Sequence, residues 1–240
     1  MLNLVKAEIL KQRRSFNNKV IWLIPIVLVA LALFILPFNF YEGMMNWWYT
    51  SFLPFIFTYV SASLVRKDQK KNTHGLLAIV EDKKKLWYAK VVTAFVYLVI
   101  ANIIFGVIVL ISSKLLGFSI ATGEMIVGLL VLCITFAWQL IAWMHLAQKV
   151  GEGICVLLSV ICNLVIAALC APGCYWWIPV AIPARLMCPI LGIMPNGCLV
   201  GEYAKALASS SVIVPGIAIS CFLFALLLVL SAKAYEKKEV

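Results

Sequence analysis

Charge is scarce in this 240-residue chain: Asp, Glu, Lys and Arg make up 12% of it, against 64% hydrophobic residues, and the mean hydropathy is +1.04. Ordinary soluble domains carry about a quarter charged residues, so both an aqueous globular enzyme and a disordered regulator are excluded. Acidic side chains are the scarcest, 10 against 20 basic ones, which leaves a net charge of +10. The basic residues flank apolar runs instead of lining one surface, a pattern that fits lipid headgroups and topology and gives no reason to expect nucleic acid. Signatures of catalysis and nucleotide binding are missing too: no G-x-x-x-x-G-K-[ST], H-E-x-x-H, G-x-S-x-G or G-x-G-x-x-G stretch occurs. No catalytic residue is expected, and no means of splitting ATP alone. The two histidines, His74 and His145, are too few and too far apart in sequence for a metal site.

What the chain has instead is long charge-free runs: Val20 to Tyr41, Gly43 to Val65, Val91 to Ser113, Met125 to Gln148, Gly153 to Ala184 and Ala206 to Ala232. Each can cross about 30 Å of hydrocarbon. The reading is an all-α integral membrane protein, one transmembrane domain over 1–240, with spans near 20–40, 46–65, 89–112, 124–147, 153–171 and 211–232. The first run ends in Leu36-Pro37-Phe38 without a small-residue cleavage site, so it is expected to stay as an anchor. Cutting the chain at these spans puts seventeen of the 20 basic residues on one side and leaves Lys114, Arg185 and Lys205 on the other. That asymmetry predicts cytoplasmic N and C termini. Trp47, Trp48 and Tyr49, and likewise Tyr175, Trp176 and Trp177, fall at the opposite interface, where they read as headgroup anchors before they read as ligand-stacking rings.

Within these runs no Asp, Glu, Lys or Arg is expected, so an ion-coupled path is excluded and any transport must take its energy from elsewhere. Asn102, Gln139, His145 and Asn163 are the notable polar residues, expected to bond between helices. Of the eight cysteines, Cys133, Cys155, Cys162 and Cys221 lie in spans; Cys170, Cys174, Cys188 and Cys198 lie on or near the outer face, where a disulfide is possible but its pairing is open.

Three further segments are informative. Residues 1–18 place Leu2, Val5, Ile9 and Phe16 in one sector and Asn3, Glu8, Lys11 and Arg14 opposite, which predicts an amphipathic interfacial helix over a plain basic tail. The loop 66–88 holds eight basic residues, counting Lys90, around Leu76-Leu77-Ala78-Ile79-Val80, with Asn72 or Thr73 as a cap and Glu81 and Asp82 closing it. Five consecutive apolar residues in such a loop point to a docking partner. Between the fifth and sixth spans, 172–210 is apolar but repeatedly broken, at Pro172-Gly173, Pro179, Pro183, Pro189 and Pro195-Asn196-Gly197. It reads as an outer re-entrant region, either a structural plug or a substrate lid.

This ordering resembles the permease subunit of a bacterial type-2 ABC exporter, and most closely the lantibiotic-immunity permeases. Three stretches carry the resemblance: Lys6-Ala7-Glu8 through Lys11-Gln12-Arg13-Arg14-Ser15-Phe16, Asp82-Lys83-Lys84-Lys85-Leu86-Trp87-Tyr88-Ala89-Lys90, and Ile193-Met194-Pro195-Asn196-Gly197. The resemblance implies a non-enzymatic subunit in the bacterial cell membrane. Its implied partners are two cytoplasmic ATPases that bind ATP and Mg, a second permease of the same or a homologous kind, membrane lipid, and a cationic antimicrobial peptide as cargo. Thr73, Leu76, Leu77, Ile79, Val80 and Glu81 would form the ATPase-docking helix, and Trp176, Trp177, Pro195, Asn196 and Gly197 the outer gate. A type-2 permease for another antibiotic, a lipid or a polymer, and a non-transporting sensor or assembly subunit, are the rival readings.

Overall fold

The computed structural model describes residues 1–13, 15–36, 39–71 and 82–237, excluding the side chains of 70, 71 and 203. The expected docking helix, with Thr73, Leu76, Leu77, Ile79, Val80 and Glu81, lies outside the described residues. Among those described, regular structure is helical apart from one isolated bridge between Ile193 and Leu199. In order the helices are α1 (Leu2–Arg13), α2 (Phe16–Ile35), α3 (Phe40–Trp47), α4 (Leu53–Lys71), α5 (Lys83–Leu116), α6 (Thr122–Val150), α7 (Glu152–Ile161), α8 (Ala167–Cys170), α9 (Ile182–Leu191) and α10 (Ile213–Glu236). Two π-helical turns, Trp48–Phe52 and Cys162–Ile166, join α3 to α4 and α7 to α8 without breaking the helix, and they pack on each other. Six helical spans are long and apolar enough to cross a membrane: Phe16–Ile35, Phe40–Gln69, Lys83–Leu116, Thr122–Val150, Glu152–Cys170 and Ser210–Glu236.

Local chemistry sets several boundaries. Ser15 caps α2 by accepting from the Asn17 amide at 3.3 Å, and Asp82 caps α5 by accepting from the Lys85 amide at 3.0 Å. That bond holds the Asp82 carboxyl below its ordinary pKa. A single glycine, Gly151 (φ 96°), separates α6 from α7, and its N–H returns to Ala147 O. Pro25 sits inside α2, where the backbone group it frees has no water to meet in lipid and must be accommodated by its surroundings.

The second and fourth spans form the centre, with 78% and 67% of their most apolar windows buried, while the first, fifth and sixth bury only 28%, 22% and 17%. Trp48 stacks on Phe105 with ring centres 4.1 Å apart, and Phe57 meets Phe136 at 5.1 Å, so large rings fill the seams between spans 2, 3 and 4. Short helix α9 is buried along nearly its whole length against α6 and α10. It approaches α10 closely at Gly216, where an added Cβ would meet Leu186 at 3.1 Å.

One expectation changes, the reading of Trp48 and Tyr49 as interface anchors, and other placements add to the sequence reading. The buried face of α1 is its polar one, Glu8 and Gln12, while Leu2, Leu10 and Phe16 are exposed; polar side chains find partners inside, and apolar ones can face lipid. Trp48 and Tyr49 are core residues, because the indole N–H and phenol bond within the bundle. Arg185 is buried, with its guanidinium on the Ala206 and Leu207 carbonyls. The helix that carries the third span begins at Lys83, ahead of the charge-free run, and Lys90 at the edge of that run is 1% exposed. All eight cysteines are free thiols, and Cys188 is buried with its Sγ donating to Ala184 O at 3.7 Å.

Candidate functional sites at the two ends of the bundle

At the end that carries both termini, four charges form an alternating quartet. Lys90 Nζ donates to Glu8 Oε2 at 3.1 Å, to Leu64 O at 3.2 Å and to Asp68 Oδ2. Lys11 Nζ closes the ring on Glu8 Oε1 at 2.7 Å and Asp68 Oδ1 at 3.1 Å. The side chains come from three helices, α1, α4 and α5, and the sum of charge is zero. Glu8, Lys11, Gln12 and Ser15 stand at i, i+3, i+4 and i+7, one helical stripe, which is why α1 can meet the ends of α4 and α5 along a line. Gln12 Oε1 accepts from Lys67 and from Asn17 Nδ2, and Asn17 also reaches Ser63 Oγ at 3.2 Å. Burial lowers the Lys11 pKa, but the Glu8 hydrogen bond and the charges of Glu8 and Asp68 outweigh it and raise the ammonium above 10.5.

Beside the quartet, Trp87 fixes the end of the sixth span. Its Nε1 donates to Ser231 Oγ at 2.8 Å, and its ring packs on His145 at 5.2 Å and Tyr235 at 4.9 Å. Lys84 pairs with Glu236 at 2.9 Å on the surface. A cavity of about 720 Å³ opens here, lined by Gln69, His145, Gln148, Lys149 and Ala234 among others.

In mid-bundle, Gln139 and Asn163 exchange two amide hydrogen bonds at 3.0 Å, with Trp143 Nε1 on the same Gln139 oxygen. Thr58 donates to Ser159 at 2.7 Å, and Asn102 accepts from Trp48 Nε1 at 3.0 Å. Apart from the Trp143 bond, which lies within α6, these are neutral contacts between helices, as the expected role of Asn102, Gln139 and Asn163 requires.

Neutral contacts also organise the far end. After α9 the chain turns back, with Met194 N–H on Cys198 O and Val200 N–H on Gly192 O, both at 2.8 Å. Gly197 sits at φ 85°, and the Asn196 side chain accepts from Cys198 N–H at 3.1 Å. Asn46 of the second span holds this turn: its amide donates to Pro195 O at 3.0 Å, Met194 O at 3.4 Å and Tyr49 Oη at 2.9 Å. Pro195 is buried and Asn196 exposed. Trp176 is partly buried against the core and Trp177 is 54% exposed; among the described residues no hydrogen bond or ring contact joins either to the turn.

Sequence reasoning missed Asn46 and the Glu8–Lys11–Asp68–Lys90 set. The polar stripe along α1, with one charge at each edge of the loop 66–88, was the available signal for the set; a lone Asn gives none. Among the described residues no group of three His, Cys, Asp or Glu lies close enough to hold a metal.

The sequence matches no family model, and comparison with curated proteins and with solved structures finds no match among either. The fold and its sites define an all-α, multi-pass membrane protein.

Proposed function

We propose that this chain is the transmembrane permease subunit of an ABC-type exporter that clears lantibiotic-type cationic antimicrobial peptides from the bacterial cell membrane and so confers immunity. The observation that carries the reading is the cross-brace at the terminal end. Asp68 and Lys90 lie on the two helices that flank residues 72–81, and both are tied to each other and to α1. Force applied to the connecting segment therefore acts on a rigid base. Spans 2 and 3 carry it through the bundle, and span 2 holds the far turn through Asn46.

In this account both termini face the cytoplasm, and two partner ATPases, with their ATP and Mg, dock on Thr73, Leu76, Leu77, Ile79, Val80 and Glu81. A second permease subunit completes the path. Helix α9 and the Pro195-Asn196-Gly197 turn form a re-entrant outer gate, and Trp176 and Trp177 meet the peptide at the outer interface. Energy comes from the partner, since the chain itself does no catalysis.

The test is affinity capture on the ATPase encoded beside this chain, comparing wild type with Leu76→Asp/Leu77→Asp at equal membrane levels. Capture of wild type and loss of the double variant is the expected result. Failure to capture a well-folded wild type, with any second permease present, removes the energy source and the proposal with it.

A further inference from the structure

A groove of about 390 Å³ runs between the end of α1, the start of α2 and the middle of α5, lined by Leu10, Arg13, Asn18, Trp22, Tyr97 and Ile100 among others. Its apolar walls open outward: Leu10 is 62% exposed, Trp22 60% and Ile100 40%. One end of the groove is polar and already ordered. Tyr97 Oη donates to Asn18 Oδ1 at 2.9 Å, and Asn18 Nδ2 donates to Arg13 O at 3.0 Å.

Arg13 itself is exposed and makes no ion pair among the described residues, although Lys11, two positions back, is paired twice. The acids of this region, Glu8 and Asp68, are consumed by Lys11 and Lys90, so among the described residues the guanidinium meets no protein anion. An arginine fork matches a phosphate oxygen pair, Trp and Tyr settle at headgroup depth, and basic pockets between spans favour anionic headgroups. A soluble anion would use the fork and leave the apolar walls in water, whereas a lipid uses both.

We propose that this groove is a binding site for one anionic glycerophospholipid, its phosphate on Arg13 and one acyl chain against Leu10, Trp22 and Ile100. The site does not depend on the export reading, only on the chain being membrane-embedded.

Reconstitution into vesicles of phosphatidylcholine containing increasing fractions of brominated-chain phosphatidylglycerol, or of brominated-chain phosphatidylcholine, tests it. Trp22 emission is isolated as the difference between wild type and Trp22→Phe. Half-quenching is expected at about fivefold lower mole fraction of phosphatidylglycerol than of phosphatidylcholine. Arg13→Gln, compared with its own Trp22→Phe version, should lose that preference, and Arg13→Lys should keep part of it, with unchanged thermal unfolding in both. Equal quenching by the two lipids overturns the proposal, as does a preference that survives Arg13→Gln. Loss of the preference on adding 10-fold excess inorganic phosphate, or Trp22 shielded from both lipids, overturns it in favour of a free anion or a second copy of the chain.

Discussion

The two ends of the bundle are held by different forces. At the terminal end, four buried or half-buried charges from three helices neutralise one another, and each carboxylate serves two ammoniums. At the far end, one neutral amide, Asn46, holds a turn by its backbone carbonyls, and the buried Arg185 also spends itself on carbonyls. A charge network is all-or-nothing, because removing one member leaves a buried opposite charge unpaired, whereas a side-chain amide on a turn can be lost with a local penalty. On the export reading proposed above, the terminal end would be the fixed base and the far end the part that changes shape.

The strongest way to break the comparison is Lys90→Met. It leaves the buried Glu8 and the partly buried Asp68 beside each other with only the half-exposed Lys11, and a loss of about 3–5 kcal/mol is expected, enough to abolish a folding transition in detergent. Adding Asp68→Asn should recover part of it. An unchanged melting temperature for the single variant contradicts the network. Asn46→Ala comes next: it frees two buried carbonyls and the Tyr49 hydroxyl, with an expected cost of about 1–3 kcal/mol and raised protease sensitivity confined to 192–200. Gly197→Ala sharpens the far end further. Its left-handed φ of 85° costs an L-residue about 1–2 kcal/mol, and the Asn46 Cβ 3.5 Å away leaves ordinary room, so strain and not a clash should set the effect.

The smallest effect is expected in alkali. The Lys11 pKa is raised above 10.5, so its contribution is fully present below that value and is lost as pH rises through the folded pKa. Wild-type melting should fall across that interval by more than that of Lys11→Met, which lacks this ammonium. Because Lys11 is half exposed, solvent screening keeps the difference small.

Hydropathy made the six spans legible, since each needs only length and the absence of charge. The apolar stripe of α1 was legible as a lipid-facing one, but the protein partners of its polar face were not. In lipid an exposed Leu2 or Leu10 costs nothing, and Glu8 and Gln12 must turn toward protein to find partners. The same need for partners moved Trp48 and Tyr49 from the interface to the core, where Asn102 and Asn46 satisfy them. Lys90 was legible as a charge at a span edge, but its burial depends on Asp68, separated by a 21-residue connection, and on Glu8 from the N-terminal helix, pairings that periodicity does not encode. The Pro195-Asn196-Gly197 turn was readable from local chemistry alone; its anchor, Asn46, is 149 positions away from Pro195.

The most direct test of the cross-brace is a double-mutant cycle on Glu8→Gln and Lys90→Met, read as thermal unfolding in one detergent. The account predicts strong non-additivity, with a coupling of about 1–3 kcal/mol, because each variant destroys the same contact. Additive losses would mean that α1 and α5 are held independently, and that the terminal end is not the single rigid base described.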